Sequence, residues 1–224
     1  MTIEEYFGDW LKVIDKEELT KVTRFVSSLD PNKTCPRISD IFKAFNKCKY
    51  NECTTIFLGQ DPYPQKGVAT GLSFGNSGDI KNISPSLQVL EEAAVDYRIH
   101  HDSVVFDYTL ESWANQGILL LNSALTCEVG KPDSHSLQWR SFISKLLQSI
   151  CIQNIGIIFV LFGERAKSFK PFIDDFQHII EVKHPAYYAR NNEEMPTSIF
   201  KDINSILKGK YNTTINWFNT IQTI

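Results

Sequence analysis

The segment Thr54-Thr55-Ile56-Phe57-Leu58-Gly59-Gln60-Asp61-Pro62-Tyr63-Pro64 decides the fold of this chain. Its first five residues are β-branched or apolar and predict a short buried strand. Each proline fixes its own φ and disfavours a helical conformation in the residue before it, here Asp61 and Tyr63. The segment therefore predicts a stiff turn that holds the Asp61 carboxylate at the end of a strand. A catalytic acid needs such a fixed carboxylate, although a polar turn that only ends a strand has the same sequence.

The length and composition predict one large domain. The chain has 224 residues, 42% of them hydrophobic and 12% aromatic, which is enough for a substantial core. We expect a single domain over 1–224, with an N-terminal helical segment at 1–50 and a motif-bearing core at 51–217. Neither a signal peptide nor a bilayer-spanning apolar run is visible, which predicts an intracellular protein without a membrane partner. Its compartment would be the cytoplasm, or the nucleus for a eukaryotic or viral source.

Charge and cysteine content exclude several classes of site. The formal net charge is −3, so a nucleic-acid partner would need a local basic face rather than a basic protein. The five cysteines are odd in number and form no C-x-x-C motif. The sequence therefore predicts neither a disulfide framework nor a zinc or iron–sulfur site.

Apolar runs alternate with helical periodicity along the chain. Strands are predicted at 54–58, 117–122, 156–162 and 178–183. Helices are predicted at 16–28 and 38–46, from Ser84-Pro85, from a cap at Ser134 or Ser136, from about 164, and from Pro196. Residues 65–83 read as a loop, and residues 95–112 carry no clear pattern. This alternation predicts a three-layer α/β/α sandwich around a central, mostly parallel four-stranded sheet.

Polar side chains follow three of these predicted strands, where ligands bind in parallel sheets. Asp61 could act as a general base or an electrostatic stabiliser. The amide of Asn122 matches a ring edge with a carbonyl beside an N–H, such as a pyrimidine. His184 could donate to a developing oxyanion. Taken singly, Asn122 could instead satisfy backbone groups at a strand end, and His184 could be an ordinary surface or core histidine.

Two aromatic residues are candidates for the walls of such a pocket. Phe74 could stack on a planar ligand, although most phenylalanines belong to the core. Tyr63 could form a wall or only pack on the turn. The segment Gly71-Leu72-Ser73-Phe74-Gly75 also matches the G-x-S-x-G nucleophile elbow, with Asp174, Asp175 and His184 downstream. That elbow joins a strand directly to a helix, whereas Ser73 lies in a Gly- and Asn-rich stretch, so a serine hydrolase is disfavoured.

Taken together and in order, these motifs resemble the family-1 uracil-DNA glycosylases. Gly59-Gln60-Asp61-Pro62-Tyr63-Pro64 is similar to their water-activating motif, and Leu119-Leu120-Leu121-Asn122-Ser123 to the strand with the uracil-reading Asn. Further similarities are carried by Ala69-Thr70-Gly71-Leu72-Ser73-Phe74, Ile83-Ser84-Pro85-Ser86-Leu87, Ser134-His135 with Trp139, Phe159-Val160-Leu161-Phe162-Gly163, and His184-Pro185-Ala186-Tyr187-Tyr188. The resemblance runs from about residue 54 to Trp217.

The resemblance implies cofactor-free hydrolysis of the N-glycosidic bond of deoxyuridine in DNA, with the base flipped out of the helix. It assigns catalysis to Asp61 and His184. It assigns uracil binding to Gln60, Tyr63, Phe74 and Asn122, with Tyr63 excluding the thymine methyl group. It also implies a monomer that acts on single- or double-stranded uracil-containing DNA, and a protein inhibitor that mimics uracil or DNA as a further partner.

Three departures from the family pattern affect DNA contacts. Pro64 replaces a His, Gly163-Glu164 replaces a Gly-Ser pair that would grip a phosphate, and Ala186-Tyr187-Tyr188 replaces a Ser-Pro-Leu wedge. We expect Tyr188, or failing it Tyr187, to fill the space that the flipped base vacates. The predicted DNA-binding set is Ser84, Pro85, Ser86, Pro185, Tyr187, Tyr188 and Arg190. The alternative function is a DNA-binding or replication accessory module on the same fold that has lost catalysis.

Overall fold

The centre of the molecule is a parallel sheet of four strands. The computed structural model describes residues 2–77, 83–94 and 104–220. The sheet order is β4 (Ile118–Asn122), β2 (Thr55–Gly59), β6 (Ile158–Phe162) and β7 (His178–Val182). All three pairings are parallel and in continuous register, with Phe57 opposite Leu120 on one side and Val160 on the other. The predicted parallel sheet and its four strands are confirmed.

Helices cover both faces of this sheet. Every residue of β2, β4 and β6 is buried, and successive residues of a strand point to opposite faces, so neither face of these three strands meets solvent. The helices in the described part of the chain are α1 (Ile3–Phe7), α2 (Lys16–Ser27), α3 (Lys43–Lys47), α4 (Pro85–Ala93), α5 (Glu111–Ala114), α6 (Ser136–Gln153), α7 (Gly163–Lys167), α8 (Pro185–Asn191) and α9 (Ser198–Tyr211). None of them is long and apolar enough to cross a membrane.

Two short antiparallel pairs flank the central sheet. One joins β1 (Thr34–Cys35) to β5 (Cys127–Glu128), and the other joins β3 (Val104–Val105) to β8 (Asn219–Thr220). Strand β3 lies and helix α5 begins in the stretch 95–112, which the sequence pattern left unassigned, and residues 95–103 are outside the described residues.

Helices α2 and α4 each begin directly after a residue whose side chain caps the first turn. Asp15 caps α2 by accepting a hydrogen bond from the Glu18 amide, and Ser84 caps α4 by accepting one from the Leu87 amide. In α4, Pro85 occupies the first helical position, where a missing N–H costs nothing.

Three other predicted helix boundaries were wrong. The stretch 38–46 divides into a 3₁₀ turn at Ile38–Asp40 and the short helix α3, since no side chain caps α3 at its start. Helix α6 begins after His135 without a side-chain cap, because the Ser134 hydroxyl instead accepts from the Glu128 amide. Helix α9 begins at Ser198, two residues after the predicted Pro196.

Candidate active site

The carboxyl ends of the parallel strands border a cavity of about 430 Å³, within the usual range for small-molecule sites. Gln60, Asp61, Asn122 and His184 all line it. These residues follow strands β2, β4 and β7, whose ends meet at one edge of the sheet. The structure therefore brings together the side chains that sequence analysis placed at that edge, while their chemical roles remain predictions.

His184 lies in the cavity in a defined tautomer. It precedes α8, and its Nδ1 atom accepts a hydrogen bond of 3.1 Å from the Ala186 amide. In a neutral ring the proton must then reside on Nε2, which makes that atom a donor. Burial, together with the positive charge of Arg190, lowers the pKa of His184 to about 4. The residue is therefore a neutral hydrogen-bond donor at physiological pH.

Asp61 is anchored from outside its own turn. The Asp133 amide donates a 2.5 Å hydrogen bond to Oδ2 of Asp61. Burial raises the pKa of Asp61, and the Asp133 carboxylate raises it further. The hydrogen bond from the Asp133 amide and the charge of Arg165 lower the pKa and so favour the anion.

The side chain of Asn122 is held beside the backbone of Gly59. Asn122 ends β4 opposite Gly59 of β2 and is only 7% exposed. A Cβ atom at position 59 would lie 2.5 Å from its Oδ1 atom, so only glycine leaves room for this amide. Among the described residues, the Asn122 amide makes no side-chain hydrogen bond, which leaves it available to a ligand. Sequence analysis missed the part played by Gly59, because the contact joins two strands.

Phe74 and Tyr63 line the cavity together and are joined by a hydrogen bond. The Phe74 ring centroid lies 5.6 Å from that of His184 and 4.8 Å from that of Phe162. Phe74 has a φ of +64°, a region that bulky residues rarely adopt. The Tyr63 hydroxyl donates to the Phe74 carbonyl at 2.9 Å and accepts from the Ser84 hydroxyl at 2.5 Å. These bonds fix the Tyr63 ring, and burial raises its pKa well above the usual value.

The two segments predicted to contact DNA lie next to each other, because α4 packs against α8. Ser86 and Arg190 line the cavity, and Pro85 is exposed. Besides Ser86 and Tyr188, each only 7% exposed, two members of the predicted set are less available. The Ser84 hydroxyl is engaged by Tyr63 and the helix cap, and Pro185 is buried at the first position of α8.

The choice of Tyr188 as the wedge is corrected by the structure. Residues 185–191 form a helix, and Pro185 and Tyr188, one turn apart, both face the interior. Tyr188 is only 7% exposed, so it cannot enter a DNA stack from this position. Tyr187 is partly exposed; its hydroxyl donates to Glu193, and the Lys183 amine lies 3.8 Å from its ring centroid. The wedge proposal therefore moves to Tyr187.

Ser73 cannot serve as a nucleophile in this structure. Its side chain is fully buried, its hydroxyl has no hydrogen-bond partner among the residues that the structure describes, and its amide donates to the Leu120 carbonyl. The hydrolase-like spacing of 71–75 therefore reflects packing against β4. In the described ranges, no group of three or more His, Cys, Asp or Glu side chains could hold a metal ion.

The phosphate-binding Gly-Ser pair has no direct equivalent here. The Glu164 side chain is 91% exposed and pairs with Lys167 at 3.2 Å on α7. The next residue, Arg165, pairs with the Asp133 carboxylate that adjoins Asp61. Sequence analysis missed both Asp133 and Arg165, since nothing in the sequence signals that these separate segments meet.

Comparisons with known proteins agree on one family. The model of the "Uracil DNA glycosylase superfamily" matches residues 45–208. A uracil-DNA glycosylase of Buchnera aphidicola is 34% identical over 219 residues, covering 96% of this chain and 93% of the relative. One from Borreliella burgdorferi is 34% identical over 217 residues, covering 96% and 92%.

Solved structures show the same fold. The crystal structure of mimivirus uracil-DNA glycosylase superposes with a TM-score of 0.73 at 22% identity, covering 97% of this chain and 93% of that one. A variant of the mimivirus enzyme in complex with UGI gives a TM-score of 0.74 at 22% identity, covering 96% and 94%.

Proposed function

The chain belongs to the uracil DNA glycosylase superfamily, and on that premise we propose that it removes uracil from DNA by hydrolysing the N-glycosidic bond of deoxyuridine. The observation that carries the proposal is the convergence of Asp61, Asn122 and a neutral His184 on one cavity. The products would be free uracil and an abasic site in the strand. The flipped base enters the cavity at an unstacking cost of about a few kcal/mol, which is smaller in single-stranded DNA.

Recognition of the base is assigned to the polar and aromatic walls. The Asn122 amide donates to one uracil carbonyl and accepts from the adjacent ring N–H, and Phe74 stacks on the ring. The Tyr63 ring occupies the space that the methyl group of thymine would need. Its two hydrogen bonds support this role, since a mobile ring would exclude a methyl group poorly. Gln60 contributes its side chain, because its carbonyl accepts from Ser123 and Ala124.

The cavity can stabilise the charges that develop on the base and on the sugar as the glycosidic bond breaks. The C1′–N1 bond breaks with its electron pair passing to uracil, and the Nε2–H group of His184 stabilises the resulting oxyanion. The sugar acquires oxocarbenium character, which the Asp61 carboxylate stabilises across the cavity. Asp61 also positions the water whose oxygen bonds to C1′ and accepts the proton that this water releases. One carboxylate suffices, because the uracil anion is a stable leaving group that needs little protonation.

DNA contacts are assigned to the adjacent ends of α4 and α8. Ser86, Pro85 and Arg190 would contact the backbone, and Tyr187 would fill the vacated stack. The substrate is uracil-containing DNA. A protein inhibitor of the kind that UGI represents is a further proposed partner, since a mimivirus relative forms a complex with UGI.

The direct test uses labelled oligonucleotides containing one uracil, both single-stranded and paired with adenine. After incubation, alkali cleaves any abasic site that has formed. The proposal expects strand breaks with the wild-type protein and a loss of about 10²–10⁴ in rate for Asp61→Asn. Equal breakage by Asp61→Asn would contradict the assigned role of the carboxylate. Absence of breaks with the wild type would contradict the activity itself.

The alternative is a DNA-binding module that has lost catalysis, which the altered Glu164 position and wedge segment would permit. The same samples test it by gel shift. Binding without strand breaks would favour the module. Strand breaks that require Asp61 would exclude it.

A further inference from the structure

The anchor of Asp61 comes from a separate loop between β5 and α6. The Asp133 amide donates to Oδ2 of Asp61 at 2.5 Å, so one carboxylate oxygen is fixed by a residue 72 positions later in the chain. Asp133 itself has a φ of +65°, a left-handed conformation that Asp and Asn tolerate better than other side chains. Because this conformation is costly, the loop needs other contacts to hold the amide in place.

Arg165 supplies such a contact from the far side of the loop. It lies on α7, directly beyond β6, and its guanidinium pairs with the Asp133 carboxylate. The Arg165 side chain is 59% exposed and the Asp133 side chain 23% exposed. Arg165 does not line the main cavity, whereas Asp61 does. The three residues therefore form a chain of contacts from the protein surface to the catalytic carboxylate.

We propose that Arg165 is a positioning residue that acts on Asp61 through Asp133. It neutralises the Asp133 carboxylate and holds the Asp133 N–H group against Oδ2 of Asp61. The proposal rests on the proposed function, because it concerns the carboxylate that would stabilise the sugar.

The charges around Asp61 explain why this neutralisation matters. A bare Asp133 carboxylate would disfavour the anionic form of Asp61, which burial already disfavours, and Arg165 opposes both effects. Within the described residues, the other ionisable groups near Asp61 are Cys127 and, lining the same cavity, Tyr63, His184 and Arg190. The Cys127 thiol donates to the Pro62 carbonyl, and its pKa is raised to about 12, so it stays neutral.

An exposed arginine beside a DNA-binding site has a competing explanation. Arg165 could bind a backbone phosphate directly, which would affect affinity and its salt dependence rather than the ionisation of Asp61. The contact with Asp133 favours the positioning role, since a guanidinium already paired with a carboxylate is a weaker phosphate ligand. The two roles differ in the kinetic constant that they change.

The experiment compares the full-length wild type with Arg165→Gln, Asp133→Asn and the double variant. Asn at 133 keeps the N–H group and tolerates positive φ while removing the charge. Arg140→Gln is the matched control, because Arg140 lies on the same surface, donates to Ser168 and, among the described residues, makes no hydrogen bond or ion pair with Asp133. Single-turnover rates of uracil release at saturating enzyme are measured from pH 4 to 8, together with KM at two salt concentrations.

We expect Arg165→Gln to shift the acidic limb of the pH–rate profile to higher pH by roughly 0.5–1 pH unit. The shift is no larger because solvent partly screens the charge that is removed. The double variant should restore the wild-type limb, because it removes both members of the pair. Arg140→Gln should leave the limb unchanged.

An unchanged limb in Arg165→Gln would overturn the proposal. A raised KM with weaker salt dependence, not restored in the double variant, would assign Arg165 to phosphate binding instead. Absence of uracil release by the wild type would contradict the proposed function, which separates the two failures.

Discussion

A Cβ atom on Gly59 would lie 2.5 Å from Oδ1 of Asn122. The glycine at the end of β2 therefore leaves the space that the Asn122 side chain at the end of β4 occupies. The pairing places a residue without a side chain beside the amide assigned to read the base. The same Cβ would lie 3.3 Å from the Phe74 ring. Gly59 therefore keeps space for both the reading and the stacking residue.

We predict that Gly59→Ala loses most activity while the protein stays folded. The added methyl group must displace the Asn122 amide, and a misplacement of about 1 Å in a reacting site can cost about 10²-fold in rate. Steady-state kinetics on a uracil-containing single strand would measure the loss. Gly209→Ala is the control, because nothing lies within 4 Å of its Cβ and its φ is not positive. Full activity in Gly59→Ala would show that Asn122 needs no fixed position.

His184 should make the stability of the protein fall in mild acid. Its folded-state pKa is about 4, below the value of about 6.5 expected in the unfolded chain, so the unfolded state binds the extra proton first. Its contribution is therefore complete above pH 6.5 and is lost as the pH falls from 6.5 to 4, up to roughly 3 kcal/mol. Urea unfolding of the wild type and His184→Gln across this range would measure it.

The control for this titration is His178→Gln, which changes an exposed histidine at the start of β7, the strand that precedes His184. We expect His184→Gln to flatten the pH dependence of the free energy of unfolding and His178→Gln to leave it steep. If the free energy of unfolding depended on pH equally in the wild type and in His184→Gln, the assignment of a neutral imidazole to His184 would be contradicted.

Tyr63→Ala should admit thymine, whereas Tyr63→Phe should still exclude it. The alanine variant removes the ring assigned to the methyl position, and the phenylalanine variant keeps the ring but loses the hydrogen bonds to the Phe74 carbonyl and from the Ser84 hydroxyl. We expect the phenylalanine variant to lose about 1 kcal/mol of stability. Release of thymine from T-containing oligonucleotides would measure specificity, and exclusion of thymine by both variants would disprove the role.

Tyr187→Ala should impair cleavage of duplex substrate more than that of single strands, because only the duplex has a stack to fill. Its ring is partly exposed and packs against the outside of the core rather than within it. Tyr188→Ala should instead destabilise the protein by about 3–5 kcal/mol, as expected for removal of a buried aromatic ring. Rates on both substrates and thermal unfolding separate the two effects.

Tyr211→Ala is the matched control for this pair, since Tyr211 is an exposed tyrosine at the end of α9. An equal loss of activity on single and double strands in Tyr187→Ala would contradict its role as a wedge.

Local sequence signals determined the framework of this protein. Continuous apolar runs identified β2, β4 and β6, because strands buried on both faces cannot alternate with polar residues. The order of those strands and helices predicted a parallel sheet, whose geometry brings Asp61, Asn122 and His184 to one edge. Capping chemistry identified the start of α4, since the Ser84 hydroxyl and Pro85 act within one helical turn.

The tertiary structure decided what surrounds those three residues. The burial of Tyr188, the anchoring of Asp61 by Asp133 and the fit of Gly59 to Asn122 all join segments that are distant in the chain. Such contacts leave no periodicity or spacing in the sequence, because they depend on how the elements pack rather than on local conformation. The sequence thus determined which side chains reach the cavity, and packing alone decided how they are held.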